Sequence, residues 1–171
     1  MSLVLRFIGT YMSWEKSPED KLWLQVDEIP ADPLSDLNTK NNELSIYILK
    51  NGKSDLDRFI AAFATSKSRG YVREIDYLVF EEELIDEAGL KYRQEDSKDL
   101  IDEKIKKLHW NLYQISSQKL LELAQKIFNY HEVNTLSIDQ VCQIINNSIK
   151  NGWINENKIN NGINRDMEKY C

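Results

Sequence analysis

The chain has 171 residues, of which 42% are hydrophobic and 29% charged, and its formal net charge is −6. This balance is typical of a globular protein with enough apolar material for a core, and no stretch approaches the roughly 20 apolar residues of a membrane helix. We therefore expect no membrane association. The two cysteines, Cys142 and Cys171, do not predict a disulfide, so a reducing cytoplasm is the expected location. Arg6 interrupts the apolar residues that follow Met1, so we interpret this segment as a first strand and not as a signal peptide.

The negative charge is concentrated in the first two-thirds of the chain. Residues 1–116 hold 16 Lys and Arg against 22 Asp and Glu, whereas residues 117–171 hold six of each. An acidic surface repels phosphate backbones and attracts basic proteins. Nucleic acid is therefore an unfavourable partner, and a basic protein is a favourable one.

Alternating apolar residues predict strands in the first half of the chain. The first runs from Leu3 to Tyr11 and has two largely apolar faces, which is typical of a central strand. The pattern of Leu22, Leu24 and Val26 predicts a second strand, antiparallel to the first and with one wetter face. Pro and Asn residues predict a loop over 29–42.

A strand, a helix and another strand are predicted next. Leu44 to Ile48 alternate, Ser54 is the predicted N-cap of a helix, and residues 75–79 resume the strand period. This order indicates a right-handed βαβ crossover whose two strands run parallel. Leu90 and Tyr92 indicate a short edge strand.

Helical spacing dominates after residue 95. The apolar residues Ile101, Ile105, Leu108, Leu112 and Ile115 are spaced by four and three, which favours a helix over a strand through Leu108, Trp110 and Leu112. The predicted helix face contains Ile101, Ile105, Leu108 and Leu112. It could pack within the chain or against a second copy, so the pattern is compatible with a homo-oligomer.

Two further helices are predicted, one over residues 120–128 and one that begins with a capping box at Ser137 to Gln140 and ends at Asn151-Gly152. The predicted fold class is α+β: a small mixed sheet of about four strands with one βαβ crossover, followed by a three-helix region. The predicted divisions are a sheet region over 1–95, a helical region over 96–153 and a flexible Asn-rich tail over 154–171.

The densest group of carboxylates directly follows a predicted strand. It consists of Glu81, Glu82, Glu83, Asp86 and Glu87. Strand ends often carry ligands, but a contiguous run directs its side chains apart, which does not suit a metal ion. We interpret this group as a surface for a basic protein partner.

Other candidates favour structural interpretations. His109 and His131 lack a ligand spacing such as H-x-x-x-H, and the basic loop Ser66–Gly70 follows a helix C-terminus, where Lys67 and Arg69 complement the dipole. No nucleophile motif is present, and Cys142 on an apolar helix face is an unsuitable disulfide partner for the terminal Cys171. We therefore expect no cofactor, no metal and no catalytic residue.

The sequence thus predicts a non-enzymatic accessory, regulatory or immunity-type protein that binds a basic partner through its acidic surface. One alternative is an enzyme whose site gathers scattered Asp, Glu and His side chains, such as Asp76 and Glu81 or Glu82 with a histidine, and acts on nucleic acid or nucleotides. A second is a winged-helix-like DNA-binding regulator, with the tail as its wing, which the low positive charge of residues 138–150 disfavours.

Overall fold

A computed structural model describes residues 2–9, 14–15, 24–37, 39–51 and 55–170. The strands are β1 (Leu3–Ile8), β2 (Leu44–Leu49), β3 (Ile75–Glu81), β4 (Lys91–Gln94), β5 (His109–Tyr113) and β6 (Glu132–Leu136). The α-helices are α1 (Ala31–Asp36), α2 (Leu56–Ala64), α3 (Glu83–Glu87), α4 (Glu103–Lys106), α5 (Ser117–Tyr130), α6 (Ile138–Lys150) and α7 (Asn161–Tyr170). Short 3-10 helices span Val26–Glu28 and Glu156–Lys158.

All six strands belong to one antiparallel sheet in the order β4-β5-β2-β1-β3-β6. The chain is α+β as predicted, but the sheet has six strands where about four were expected, and none of its pairs is parallel. Strands β2 and β3 do run in the same direction, because both pair antiparallel with β1, which lies between them. The predicted βαβ unit is therefore split by the first strand.

Strand β1 has an apolar layer on each side, as its two apolar faces predict. Val4 lies in one core cluster and Leu5 in the other, and both are fully buried. Helices α3 and α5 cover the first cluster, while α2, α4, α6 and α7 cover the second. The sheet thus forms the middle of three layers.

Strand β5 corrects the prediction of a long helix through residue 115. Asp102 caps only the short helix α4, and the chain then pairs with β2, so that Leu112 lies opposite Leu44. Pairing satisfies the backbone groups that β2 would otherwise expose at an edge. Ile105 and Leu112 are both buried, in different clusters, so the predicted apolar face for a second copy does not exist.

Other segments also differ from expectation. Val26 belongs to a 3-10 helix and not to a second strand, while Leu22 and Ser54 lie outside the described residues. The predicted loop over 29–42 contains α1, whose backbone is held where the Arg6 side chain donates to the carbonyl of Asp36 (Nη2 to O, 2.8 Å). Strand β6 was not predicted, because its five residues occupy what reads as a connection between two helices.

The C-terminal segment is helical where the sequence predicts a flexible tail. Gly152 adopts the left-handed φ of +69° that ends α6, as predicted, and Ile154 folds back into the core. Helix α7 then packs against α6, burying Ile163, and the Asp166 carboxylate accepts a hydrogen bond from the Val72 amide (2.9 Å). A Cβ atom at Gly162 would collide with the carbonyl oxygen of Gly70.

Cys142 corrects another expectation, because it is bonded in a disulfide. The sequence holds one other cysteine, Cys171, which lies outside the described residues. The expectation rested on a buried position for Cys142 and a frayed end for Cys171, but the chain up to Tyr170 forms helix α7, which packs against α6.

We expect thiol titration of the unfolded protein to detect no free thiol before reduction and two afterwards. The intact mass should rise by the two hydrogens that reduction adds. Two reactive thiols in the unreduced, unfolded protein would contradict the disulfide.

Substitution of Asp102 tests the junction between α2 and α4. Its side chain, 1% exposed, accepts two hydrogen bonds from Arg58 (2.7 and 2.9 Å) and caps α4. We expect Asp102→Asn to lower the free energy of unfolding by about 3 kcal/mol, because the Arg58 charge loses its buried partner. Urea denaturation measures this loss, and Glu103→Gln is the control, because it removes only an exposed ion pair with Lys106 and should shift the midpoint much less than Asp102→Asn does.

Candidate protein-binding surface

The predicted carboxylate group lies where β3 ends and α3 begins. The chain turns directly from Glu81 into the helix, with Glu82 as the N-cap residue. Leu84 and Ile85 are buried against the first core cluster, which fixes the orientation of this short helix. Its other residues must therefore face outward.

Helical geometry brings three of these carboxylates together. Glu83, Asp86 and Glu87 are spaced by three and four residues, so they share the outward face of α3. Contiguous residues that would point apart in a strand thus form one row. We call the exposed carboxylates of this row, together with Glu81, the acidic surface.

Glu81 occupies a different position from the α3 row. Phe80 contributes to the first cluster and Val79 to the second, so strand alternation places Glu81 with the second cluster's side of the sheet. It is exposed at the very end of the strand. The acidic surface therefore extends around the end of the sheet at which β3 finishes, and it is not a flat patch on one face.

The five predicted residues differ in how they are used within the chain. Glu87 forms an ion pair with Lys126 (Oε2 to Nζ, 2.8 Å), and Glu82 accepts a hydrogen bond from the Tyr92 hydroxyl (3.0 Å). Glu81, Glu83 and Asp86 are exposed and make no ion pair with any residue in the described ranges. These three carboxylates are thus available to a partner.

Tyr92 reports on the electrostatics of this region. Burial, then the hydrogen bond to Glu82 and the charges of Glu82 and Asp86, raise the pKa of Tyr92 to about 12. Each of these influences disfavours the phenolate, either by removing water from it or by placing negative charge beside it. Asp86 of the acidic surface therefore acts, together with Glu82, on a side chain of the neighbouring strand β4.

The histidines do not join these carboxylates. His131 caps the C-terminus of α5, with Nδ1 2.8 Å from the carbonyl oxygen of Ile127, as a helix-capping interpretation predicts. His109 lies on β5 and not on a helix, with Nδ1 2.6 Å from the carbonyl oxygen of Glu95. Asp76 and Glu81, two candidates for a shared catalytic site, lie at opposite ends of β3.

One hollow does combine a histidine with carboxylates. It has a volume of about 310 Å³ and is lined by Glu95, Asp96, Ser97, Lys98, Asp99 and His109. Glu95 and Asp96 are exposed, so the hollow is open to water at these two carboxylates. Across the described ranges, no group of three or more His, Cys, Asp or Glu side chains could hold a metal ion.

Two arginines were not recognised together from the sequence. The sequence explains Arg69 by dipole complementation and indicates no role for Arg73, yet both line one cleft of about 440 Å³. The signal that could have found them is the run Arg69-Gly70-Tyr71-Val72-Arg73, in which cations flank an aromatic residue.

Within the described ranges, every helix falls short of the length and apolarity of a bilayer-spanning segment. Comparison of the chain with family models, with curated proteins and with solved structures finds no match.

Exchange of Glu82 for Gln tests the coupling to Tyr92. The variant removes a negative charge, so we expect the pKa of Tyr92 to fall from about 12 toward its ordinary value of 10 without reaching it, because burial persists. Ultraviolet absorbance of the phenolate against pH, with Tyr92→Phe subtracted, measures the change. Glu83→Gln is the matched control and should leave the pKa of Tyr92 unchanged.

The raised pKa of Tyr92 also predicts that the folded protein loses stability at high pH. The folded chain holds the Tyr92 proton more tightly than the unfolded chain, so the group favours folding below pH 10 and loses this contribution as the pH rises toward 12. Tyr92→Phe should show a shallower decline over that interval in urea denaturation.

Proposed function

We propose that this chain is a non-enzymatic accessory, regulatory or immunity-type protein that binds a basic protein partner through the acidic surface. The observation that supports the proposal is the exposure of Glu81, Glu83 and Asp86 without ion pairs to described residues. Clustered charges of one sign steer an oppositely charged partner and fix its orientation.

The rigid mounting of the acidic surface also supports binding. Leu84 and Ile85 anchor α3 in the core, and the Ile85 amide donates to the carbonyl of Glu82 (3.0 Å) at the start of the helix. A partner would therefore meet carboxylates whose backbone is already ordered, which lowers the entropy cost of association.

The sharpest test reverses the charge of each exposed carboxylate separately. We expect Glu81→Lys and Glu83→Lys each to lower the affinity for a captured basic partner by about tenfold, since like charges then face each other across the contact. Wild-type protein would first serve as bait in extract from the native organism, and the affinity of the purified partner would then be measured. Glu156→Lys, an exposed reversal on the C-terminal 3-10 helix, is the matched control.

Salt provides the second arm of this test. Raising ionic strength shortens the screening length from about 10 Å at 0.1 M to about 3 Å at 1 M, so the complex should weaken markedly over this range. Binding that ignores salt and both reversals contradicts the proposal. If only one of the two reversals weakens binding, the partner contacts only that residue's side of the end of β3, and the binding surface is smaller than the acidic surface.

An enzyme that acts on nucleic acid or nucleotides is our second candidate, and the hollow that joins His109 with Glu95, Asp96 and Asp99 is the observation that favours it. It ranks below binding because the hollow is open and its carboxylates stay in water. The winged-helix alternative has less support, since α7 lies where a β-wing would be required and α6 buries Val141 and Ile145 against the core.

The cytoplasmic location remains a proposal. A disulfide at Cys142 is more typical of an oxidising compartment, because cytosolic thiols are usually kept reduced. Alkylation of free thiols at the moment of cell lysis distinguishes the two environments.

A further inference from the structure

A cleft at the opposite end of β3 from the acidic surface contains two arginines. It has a larger hollow of about 440 Å³ and a smaller one of about 310 Å³, and Phe63, Arg69 and Arg73 line both. The larger hollow also borders the end of β1 at Ile8 and the start of β3 at Ile75. We call the two hollows together the arginine cleft.

Aromatic residues position the first arginine. The Arg69 guanidinium lies over the ring of Phe63, with its carbon 4.2 Å from the ring centroid, and Phe63 in turn stacks on Phe7. Stacking leaves the edge of a guanidinium free to donate hydrogen bonds. The arrangement therefore fixes the plane of Arg69 while leaving its donors available.

These two arginines are not paired directly with a carboxylate of the described residues. Neither guanidinium makes an ion pair or a side-chain hydrogen bond with a residue in the described ranges. Burial, and then the nearby charge of Arg73, lower the pKa of Arg69 to about 10. Two like charges held close together repel each other, and a bound anion would offset this repulsion with charge-assisted hydrogen bonds.

The carboxylates near the cleft lie outside the lining of its smaller hollow, although the charge of Asp99 acts on Arg69 and partly opposes the lowering of its pKa. Glu74 and Asp76 line only the larger hollow, and Asp76 accepts a hydrogen bond from the Thr135 hydroxyl. Asp99 accepts from the amide and hydroxyl of Ser68. Arg69 and Arg73 are the charged residues that line the smaller hollow, beside Phe63, Ser68, Gly70 and Tyr71.

The negative end of helix α2 is too weak to cancel this charge. The C-terminus of a helix carries about half a negative elementary charge, and its influence is confined to the last turn. The two guanidiniums carry two positive charges, so the hollow stays attractive to anions.

We propose that the smaller hollow of the arginine cleft binds the phosphate group of a small phosphorylated molecule, held by Arg69 and Arg73. A phosphate monoester carries about two negative charges at neutral pH, which matches two guanidiniums better than a carboxylate does. The Tyr71 ring, 58% exposed at the rim, and the open space around Gly70 leave room for the rest of the ligand. This site does not depend on the acidic surface or on a protein partner.

Calorimetric titration with inorganic phosphate and with adenosine 5′-monophosphate tests the proposal. We expect both to bind the wild-type protein, and Arg69→Gln or Arg73→Gln to weaken each by at least about tenfold, since each loses a charge-assisted hydrogen bond. Arg73 is exposed, so its variant should fold even if loss of the Arg69 stacking perturbs the cleft. Arg73→Lys should restore part of the affinity.

Arg93→Gln is the matched control. Arg93 is an exposed arginine on β4, at the far edge of the sheet, and pairs with Glu43 (2.8 Å). This variant should bind both probes like the wild type. The proposal is overturned if the wild type binds neither probe, if Arg93→Gln weakens binding as much as the cleft variants, or if only inorganic phosphate binds.

Discussion

The burial of both faces of β1 is the constraint on which the rest of the structure depends. Val4 and Leu5 are adjacent in the chain and fully buried on opposite sides of the sheet. Removing a side chain of this size from water contributes roughly 1.5–3 kcal/mol, so each face must have its own apolar cover. The helices on both sides of the sheet meet this requirement, and the split between β2 and β3 places β1 at the centre.

The central position of β1 also determines where the two candidate sites lie. Strand β1 pairs with β3 along the whole length of β1, from Ile8 opposite Asp76 to Leu3 opposite Glu81. At about 3.4 Å per residue, the arginine cleft at one end and the acidic surface at the other are about 17 Å apart. The molecule thus separates a positive from a negative site across its sheet, although its net charge is −6. Whole-chain charge alone would conceal the positive one.

Local periodicity explains which parts of the fold were predictable. The alternation in β1, the helical spacing in α5 and α6 and the capping box at Ser137 all describe contacts within a few residues, and the structure confirms them. Strand β5 was missed because Ile105 and Leu112 also satisfy a helical spacing. Pairing with β2 favours the strand over the helix for residues 109–113, and this pairing joins residues more than 60 positions apart.

The candidate sites show the same division. The carboxylates after β3 were identified from composition, but their shared outward face depends on helix α3, which the sequence pattern does not predict. The arginine cleft required knowing that Phe7 from β1 stacks beneath Phe63 and Arg69. Such a contact joins distant segments and leaves no trace in local spacing.

The close approach of α7 to the segment before β3 has a consequence for the molecule as a whole. Gly162 tolerates no side chain beside the Gly70 carbonyl, and Asp166 holds the Val72 amide, so the last helix braces the connection that carries Arg69, Tyr71 and Arg73. Detachment of this helix would leave the strands of the sheet paired but would remove the support of the segment that lines the arginine cleft. The docking of the terminal helix would then change the affinity of the proposed phosphate site, although the helix does not line it.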